Sequence, residues 1–166
     1  VEKKDNLIMV DALSMDFSKG IKDSLVIVPN MKVELFDRFG NLKDQRDVHN
    51  TVTTAGHNGA ADQILLSQTL AKPTHMALGT GSPGATLLGT EVCRVVLDSK
   101  TRGANSIVTM VCTFPAGTPA GSNGITEAGI FDVVTANTVN MWLSASFSVV
   151  NKGPLDSIVV TWTLTF

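Results

Sequence analysis

Ser157-Ile158-Val159-Val160-Thr161-Trp162-Thr163-Leu164-Thr165-Phe166 alternates large apolar side chains with mostly small polar ones. Ile158, Val160, Trp162, Leu164 and Phe166 fall on one side, and Ser157, Val159, Thr161, Thr163 and Thr165 on the other. A period of two is the signature of a strand with one buried face. The stretch before it repeats the pattern: Met141, Leu143, Ala145, Phe147 and Val149 alternate with Asn140, Trp142, Ser144, Ser146 and Ser148. Asn151-Lys152-Gly153-Pro154-Leu155-Asp156 reads as the turn between them. The pair therefore predicts an antiparallel hairpin, with Trp162, Leu164 and Phe147 in the interior.

Further strands are expected upstream. Val108, Met110, Cys112 and Phe114 share one face of 105–114, and Cys93, Val95 and Leu97 share one face of a strand over 92–101. Arg102-Gly103-Ala104-Asn105 turns between these two. Residues 115–124, rich in Gly, Pro and Ser, read as a loop, and 125–134 as a strand weakened by Ala128-Gly129. Residues 31–36 read as a strand closed by the turn Asp37-Arg38-Phe39-Gly40-Asn41. One helix is expected, capped by Thr53 or Thr54. Ala60, Ala61, Ile64, Leu65 and Gln68 follow helical spacing, Gly56 and Gly59 weaken the first turn, and Pro73 sets an outer limit. With no βαβ alternation, the expected fold is mainly β: an antiparallel β-sandwich, jelly-roll-like, over residues 31–166, preceded by an N-terminal arm over 1–30.

The chain of 166 residues has room for one domain, and at this size its core needs no metal or disulfide staple. Thirteen basic residues against fifteen acidic ones give a net charge of −2, leaving no basic excess to hold a phosphate backbone, so no nucleic-acid partner is expected. No apolar run reaches the ~18 residues of a membrane helix, so no membrane partner is expected either. The first residues lead into no uninterrupted apolar core, so no intact secretory signal is read. Charge is uneven: residues 1–47 hold 17 of the 28 charged side chains. The rest of the chain stays polar through Thr, Ser, Asn and Gly. Such a surface costs little to desolvate and suits lasting contact with other protein; Thr enrichment is also what strands select.

The motifs that carry chemistry are weak. Gly79-Thr80-Gly81-Ser82-Pro83-Gly84 matches a dinucleotide-binding spacing, but Pro83 lies inside it and no helix is expected after it, so it reads as a glycine-rich turn. His49, His57 and His75 lack a third metal ligand nearby, with Asp62 the one carboxylate between His57 and His75. No Gly-x-Ser-x-Gly elbow marks a nucleophile. Cys93 and Cys112 lack CxxC spacing and read as buried thiols, with a single disulfide between neighbouring strands left open. Glu91, Glu127 and Asp132 are scarce acids in the β-rich part, and pairing with Arg94 or Arg102 is the expected use. Glu91, Arg94 and Glu127 are expected to fix loop geometry through buried or half-buried hydrogen bonds and to perform no catalysis. Aromatic residues make up 5% and Tyr is absent, which is poor material for a carbohydrate platform. Trp142 and Trp162 read as core or interface anchors. No residue is assigned a catalytic, cofactor-binding or metal-binding role.

Three stretches taken together carry a resemblance. They are Met76-Ala77-Leu78-Gly79-Thr80-Gly81 with Leu87 and Glu91-Val92-Cys93-Arg94; Ile125-Thr126-Glu127-Ala128-Gly129-Ile130-Phe131; and Phe147-Ser148-Val149-Val150-Asn151-Lys152 with Asp156 and the final Thr161–Phe166. Over residues 31–166 the chain resembles a group of small virion structural proteins of tailed bacteriophages, either capsid decoration (cement) proteins or tail-fibre-like proteins. The resemblance implies a non-enzymatic protein without cofactors. It implies a homo-oligomer, a trimer or another small assembly, bound to the major capsid protein or to tail proteins in a virion assembled in the host cytoplasm. A tail, baseplate or fibre component is the alternative; a small-ligand or carbohydrate-binding β-sandwich is the alternative of another class, with a hydrolase behind it. Residues 1–30 have no counterpart in the resemblance. They carry Leu7, Ile8, Met9, Val10, Leu13, Met15 and Phe17, then Leu25, Val26, Ile27 and Val28, more apolar mass than a solvated tail usually holds. An arm packing on a neighbouring subunit or on the capsid surface is expected.

Overall fold

In a computed structural model of the chain, residues 27–65, 67–137 and 139–166 are described. Their strands are β1 (Val28–Phe36), β2 (Leu42–His49), β3 (Thr51–Val52), β4 (His75–Gly79), β5 (Glu91–Val96), β6 (Ser99–Arg102), β7 (Ile107–Phe114), β8 (Asn123–Phe131), β9 (Met141–Lys152) and β10 (Ser157–Thr165), with one helix, α1 (Thr54–Asp62). They form two five-stranded antiparallel sheets, ordered β2-β1-β10-β7-β6 and β3-β9-β8-β4-β5. The sheets pack as a sandwich. Met31, Val33, Leu35, Met110, Cys112, Phe114, Ile158, Val160 and Trp162 face the second sheet's Met76, Leu78, Ile125, Ile130, Leu143, Ala145 and Val150.

The expected hairpin of the last two strands does not form. β9 pairs with β8 and β3, while β10 lies between β1 and β7 in the other sheet. Their apolar faces meet across the core instead of lying side by side in one sheet. Alternation specifies a face, not a pairing partner. The result is nested: β8 pairs with β9 inside, and β7 with β10 outside. Trp162 is fully buried, and Leu164 and Phe147 pack partly buried against the core. Val149 is not interior. The register between β8 and β9 shifts between Ile125 and Glu127, so Val150 takes the core position and Val149 is left 44% exposed. Phe166, beyond the end of β10, is 41% exposed.

The single strand expected over 92–101 is two strands, one in each sheet. At Leu97 and Asp98 the chain crosses over: Leu97 N donates to Thr74 O and Asp98 N to Val111 O, so the crossing keeps its backbone bonds. β6 and β7 then pair as expected, with Gly103 N donating to Ile107 O. β1 starts at Val28, earlier than Met31, because Val28, Pro29 and Asn30 already pair with Thr165, Leu164 and Thr163. The arm expected over 1–30 otherwise lies, up to residue 26, outside the described residues.

The helix is capped by Thr53, whose Oγ1 accepts from Gly56 N, but it stops at Asp62. Ile64 and Leu65 lie beyond it, 83% and 57% exposed. The Asp62 carboxylate accepts from Thr69 N and Leu70 N and closes the chain into a turn there. Gly56 and Gly59 are a packing requirement. A Cβ on Gly59 would stand 2.1 Å from the Trp142 ring and one on Gly56 2.2 Å from Trp142 O, so only bare backbone lets α1 sit on β9.

Candidate functional site

The glycine-rich motif leaves the end of β4 and opens a loop, residues 80–90, with no helix in it. Its backbone N–H groups do converge on an anion, but the anion is internal. Glu127, fully buried on β8, accepts from Gly81 N at 2.9 Å and Thr90 N at 2.8 Å through Oε1, and from Gly89 N at 2.9 Å through Oε2. Thr126 Oγ1 donates to Gly81 O at 2.7 Å, and Thr80 N to Thr90 O closes the loop neck. A Cβ at Gly79 would fall 2.3 Å from Glu127 Oε1, so the carboxylate occupies the space that a side chain there would need. A phosphate would find these donors already taken. The loop lies over the outer face of the second sheet, where Leu88 joins Ala77, Phe131 and Met141 in a small second core.

Beside it stands the second buried charge cluster. Arg94 donates from Nε and Nη2 to the two oxygens of Glu91 at 2.8 and 2.7 Å, with their side chains 2% and 1% exposed. The guanidinium lies 3.7 Å from the Phe131 ring centroid and donates from Nη1 to Val133 O, while Glu91 Oε2 also accepts from Asn137 N. A fork-to-fork pair with a ring beneath and two backbone partners satisfies both charges away from water. The cluster ties the segment after β8 to β5. The expectation for Glu91, Arg94 and Glu127 is met in kind, although Glu127 takes three backbone donors and no arginine. Asp132 joins neither cluster.

Lys152 is fully buried, and burial holds its ammonium below the ordinary lysine range while Asp156 pulls it back up. Asp156 accepts from Lys43 Nζ at 2.7 Å and from Gly153 N at 2.8 Å, which fixes the crossing between β9 and β10. Residues 151–156 have the composition of a hairpin turn, and in the sequence only an Asp three residues after a Gly points to this clasp.

The histidines stay apart. His49 ends β2, His57 lies in α1 and His75 opens β4. Burial, helped by Arg94, lowers the pKa of His75. Among the described residues no group of three His, Cys, Asp or Glu side chains is placed to hold a metal. Cys93 and Cys112 are free thiols on opposite sheets, both pushed up to about 12 mainly by burial. They are packing groups at neutral pH, far from the thiolate that nucleophilic chemistry needs. No described helix is long and apolar enough to cross a membrane.

The outer face of the first sheet is of another kind. Register aligns Thr101, Thr109 and Thr163 across β6, β7 and β10, then Ser99, Val111 and Thr161, then Thr113 with Val159. Across these strands the face carries hydroxyls and methyls and no charge, until Lys32 and Glu34 on β1. Burying such hydroxyls requires partners for them but displaces no ion from water. The fold and its sites thus define a β-sandwich whose buried charges hold loops and whose broad sheet face is neutral. No protein family, curated protein or solved structure matches the chain.

Proposed function

We propose that this chain is a non-enzymatic structural protein of a tailed-bacteriophage virion, a capsid decoration protein that clamps neighbouring major capsid subunits and works as a small homo-oligomer, a trimer. The observation that carries the reading is the neutral Thr, Ser and Val face on β6, β7 and β10. A protein that spends its life against a lattice gains from a flat surface with little desolvation cost. At about 25 cal/mol per Å² of apolar area, modest contacts repeated over a shell sum to a large stabilisation. The internal use of Glu91, Arg94 and Glu127 supports the same reading, because these charges hold loops in shape.

Quantitative gels of purified particles, with localisation by electron microscopy, test this. Copies in the hundreds on the capsid surface are expected. Copies in the tens at the tail make the chain a tail, baseplate or fibre component, and absence from particles removes the virion reading. A glycan array tests the carbohydrate-binding alternative, against which the low aromatic content counts.

A further inference from the structure

At one end of the sandwich the sheets part around an apolar groove of about 570 Å³, lined by Val52, Val108, Met110, Trp142, Leu143 and Leu164. Lys72, Lys100 and Arg102 also line it, and no acid does. Register puts Lys100 and Arg102 opposite Met110 and Val108, so both stand on the core side of β6. Lys100 Nζ donates to Pro73 O at 2.8 Å, and among the described residues none of these three cations forms an ion pair with an acid. Burial and the neighbouring Lys72 both lower the pKa of Lys100. Apolar walls rimmed by exposed positive charge suit a ligand that is apolar and acidic.

The chain contains such a segment, and it leads to the groove. Ile27 is itself a lining residue, so the preceding 26 residues join the fold at this point. Within them, Asp5-Asn6-Leu7-Ile8-Met9-Val10-Asp11-Ala12-Leu13-Ser14-Met15-Asp16-Phe17 carries three acids and no base among its large apolar side chains. We propose that residues 5–17 dock in the groove of their own chain, with Leu13 and Phe17 against the apolar wall and Asp5, Asp11 and Asp16 facing Lys72, Lys100 and Arg102. Residues 18–26 can span at most about 32 Å, and Gly20 lets them reverse direction. A tether this short supplies an effective concentration on the order of millimolar, so a modest contact is enough to hold the segment in place. Inward-facing cations on an edge strand also deter sheet-to-sheet pairing, but that role requires no acidic partner. The docking therefore gives the N-terminal residues a seat on their own domain, independent of the virion reading.

Hydrogen exchange on the full chain, read by mass spectrometry, tests the docking, with β8 peptides as the internal standard. Leu13→Asp/Phe17→Asp should speed exchange in peptides over residues 52–60 and 141–143 by about tenfold, at unchanged mass in light scattering. Lys100→Glu/Arg102→Glu should do the same, and adding Asp11→Lys/Asp16→Lys to it should restore protection. If Leu13→Asp/Phe17→Asp disturbs β8 as well, Asp11→Asn/Asp16→Asn replaces it and should show the same loss at smaller amplitude. Unchanged groove protection in these variants, or failure of the charge exchange to restore it, overturns the proposal. So does protection that fades on dilution together with a fall in mass, which would place the segment on a second copy.

Discussion

Glu127 is the residue on which the 80–90 loop depends. Its carboxylate has three backbone donors, and an amide in its place would turn an N–H₂ group toward at least one of them. Glu127→Gln is expected to cost about 2–3 kcal/mol in a urea melt, the range for buried hydrogen bonds to a charged group; a loss under about 1 kcal/mol would show that the loop holds itself. Trp162→Ala, at a position with no exposure, is expected to cost about 3–5 kcal/mol. The pH dependence draws on aspartates with depressed values, Asp156 and Asp62 among them. The Lys43 ammonium and Gly153 N–H hold Asp156 below its ordinary 3.8, and the N–H groups of Thr69 and Leu70 hold Asp62 below it too. Both folded values are depressed, so their contribution is complete above the unfolded value and disappears as pH falls through the folded ones. The melting temperature should therefore drop below about pH 4, and Asp156→Asn should make that drop shallower.

At the scale of elements, α1 reverses an ordinary expectation. Alanine is the better helix former by about 1 kcal/mol, yet Gly59→Ala should destabilise by about 1–3 kcal/mol, because its methyl would overlap the Trp142 ring. Trp142→Leu in the same chain should recover part of the loss, a coupling that a double-mutant cycle by denaturant melt measures directly. The same element shows what a sequence can and cannot carry. That a Thr at 53 or 54 caps it was legible, since a side chain of that type before an Ala-containing run has one common use, whereas the choice of Thr53 comes from the structure. Its end at Asp62 was not, because the donors that stop it are backbone atoms of Thr69 and Leu70, which no composition reveals. The faces of β7 and β10 were legible through alternation, whereas at the crossing the turn-forming Asp98-Ser99 is masked by Cys93, Val95 and Leu97, which alternate up to it without a break. β4, buried on both faces as Met76-Ala77-Leu78, has no alternation to read. The roles of Glu91, Arg94 and Glu127 were legible because ionised groups are scarce there and costly to bury alone; the partners of Glu127 were not, again because they are main-chain donors.

For the whole molecule, the described sandwich opens with β1 at Val28, and Ile27 just ahead of it lines the groove. Deleting residues 1–26 should leave a domain that still melts cooperatively by circular dichroism, while deletion through Phe36 should abolish the transition, since β1 sits between β2 and β10. The pairing of β1 with β10 also has a consequence in time. At about 5–20 residues per second, a ribosome that has made Phe36 needs roughly 6–26 s more to reach Thr165. Through that interval Met31, Val33 and Leu35 have β2 beside them and no completed sheet to cover them. The nascent chain is then a sticky hairpin waiting for its last partner, and its yield in a host cell should depend on chaperones that shield it until translation of the domain is finished.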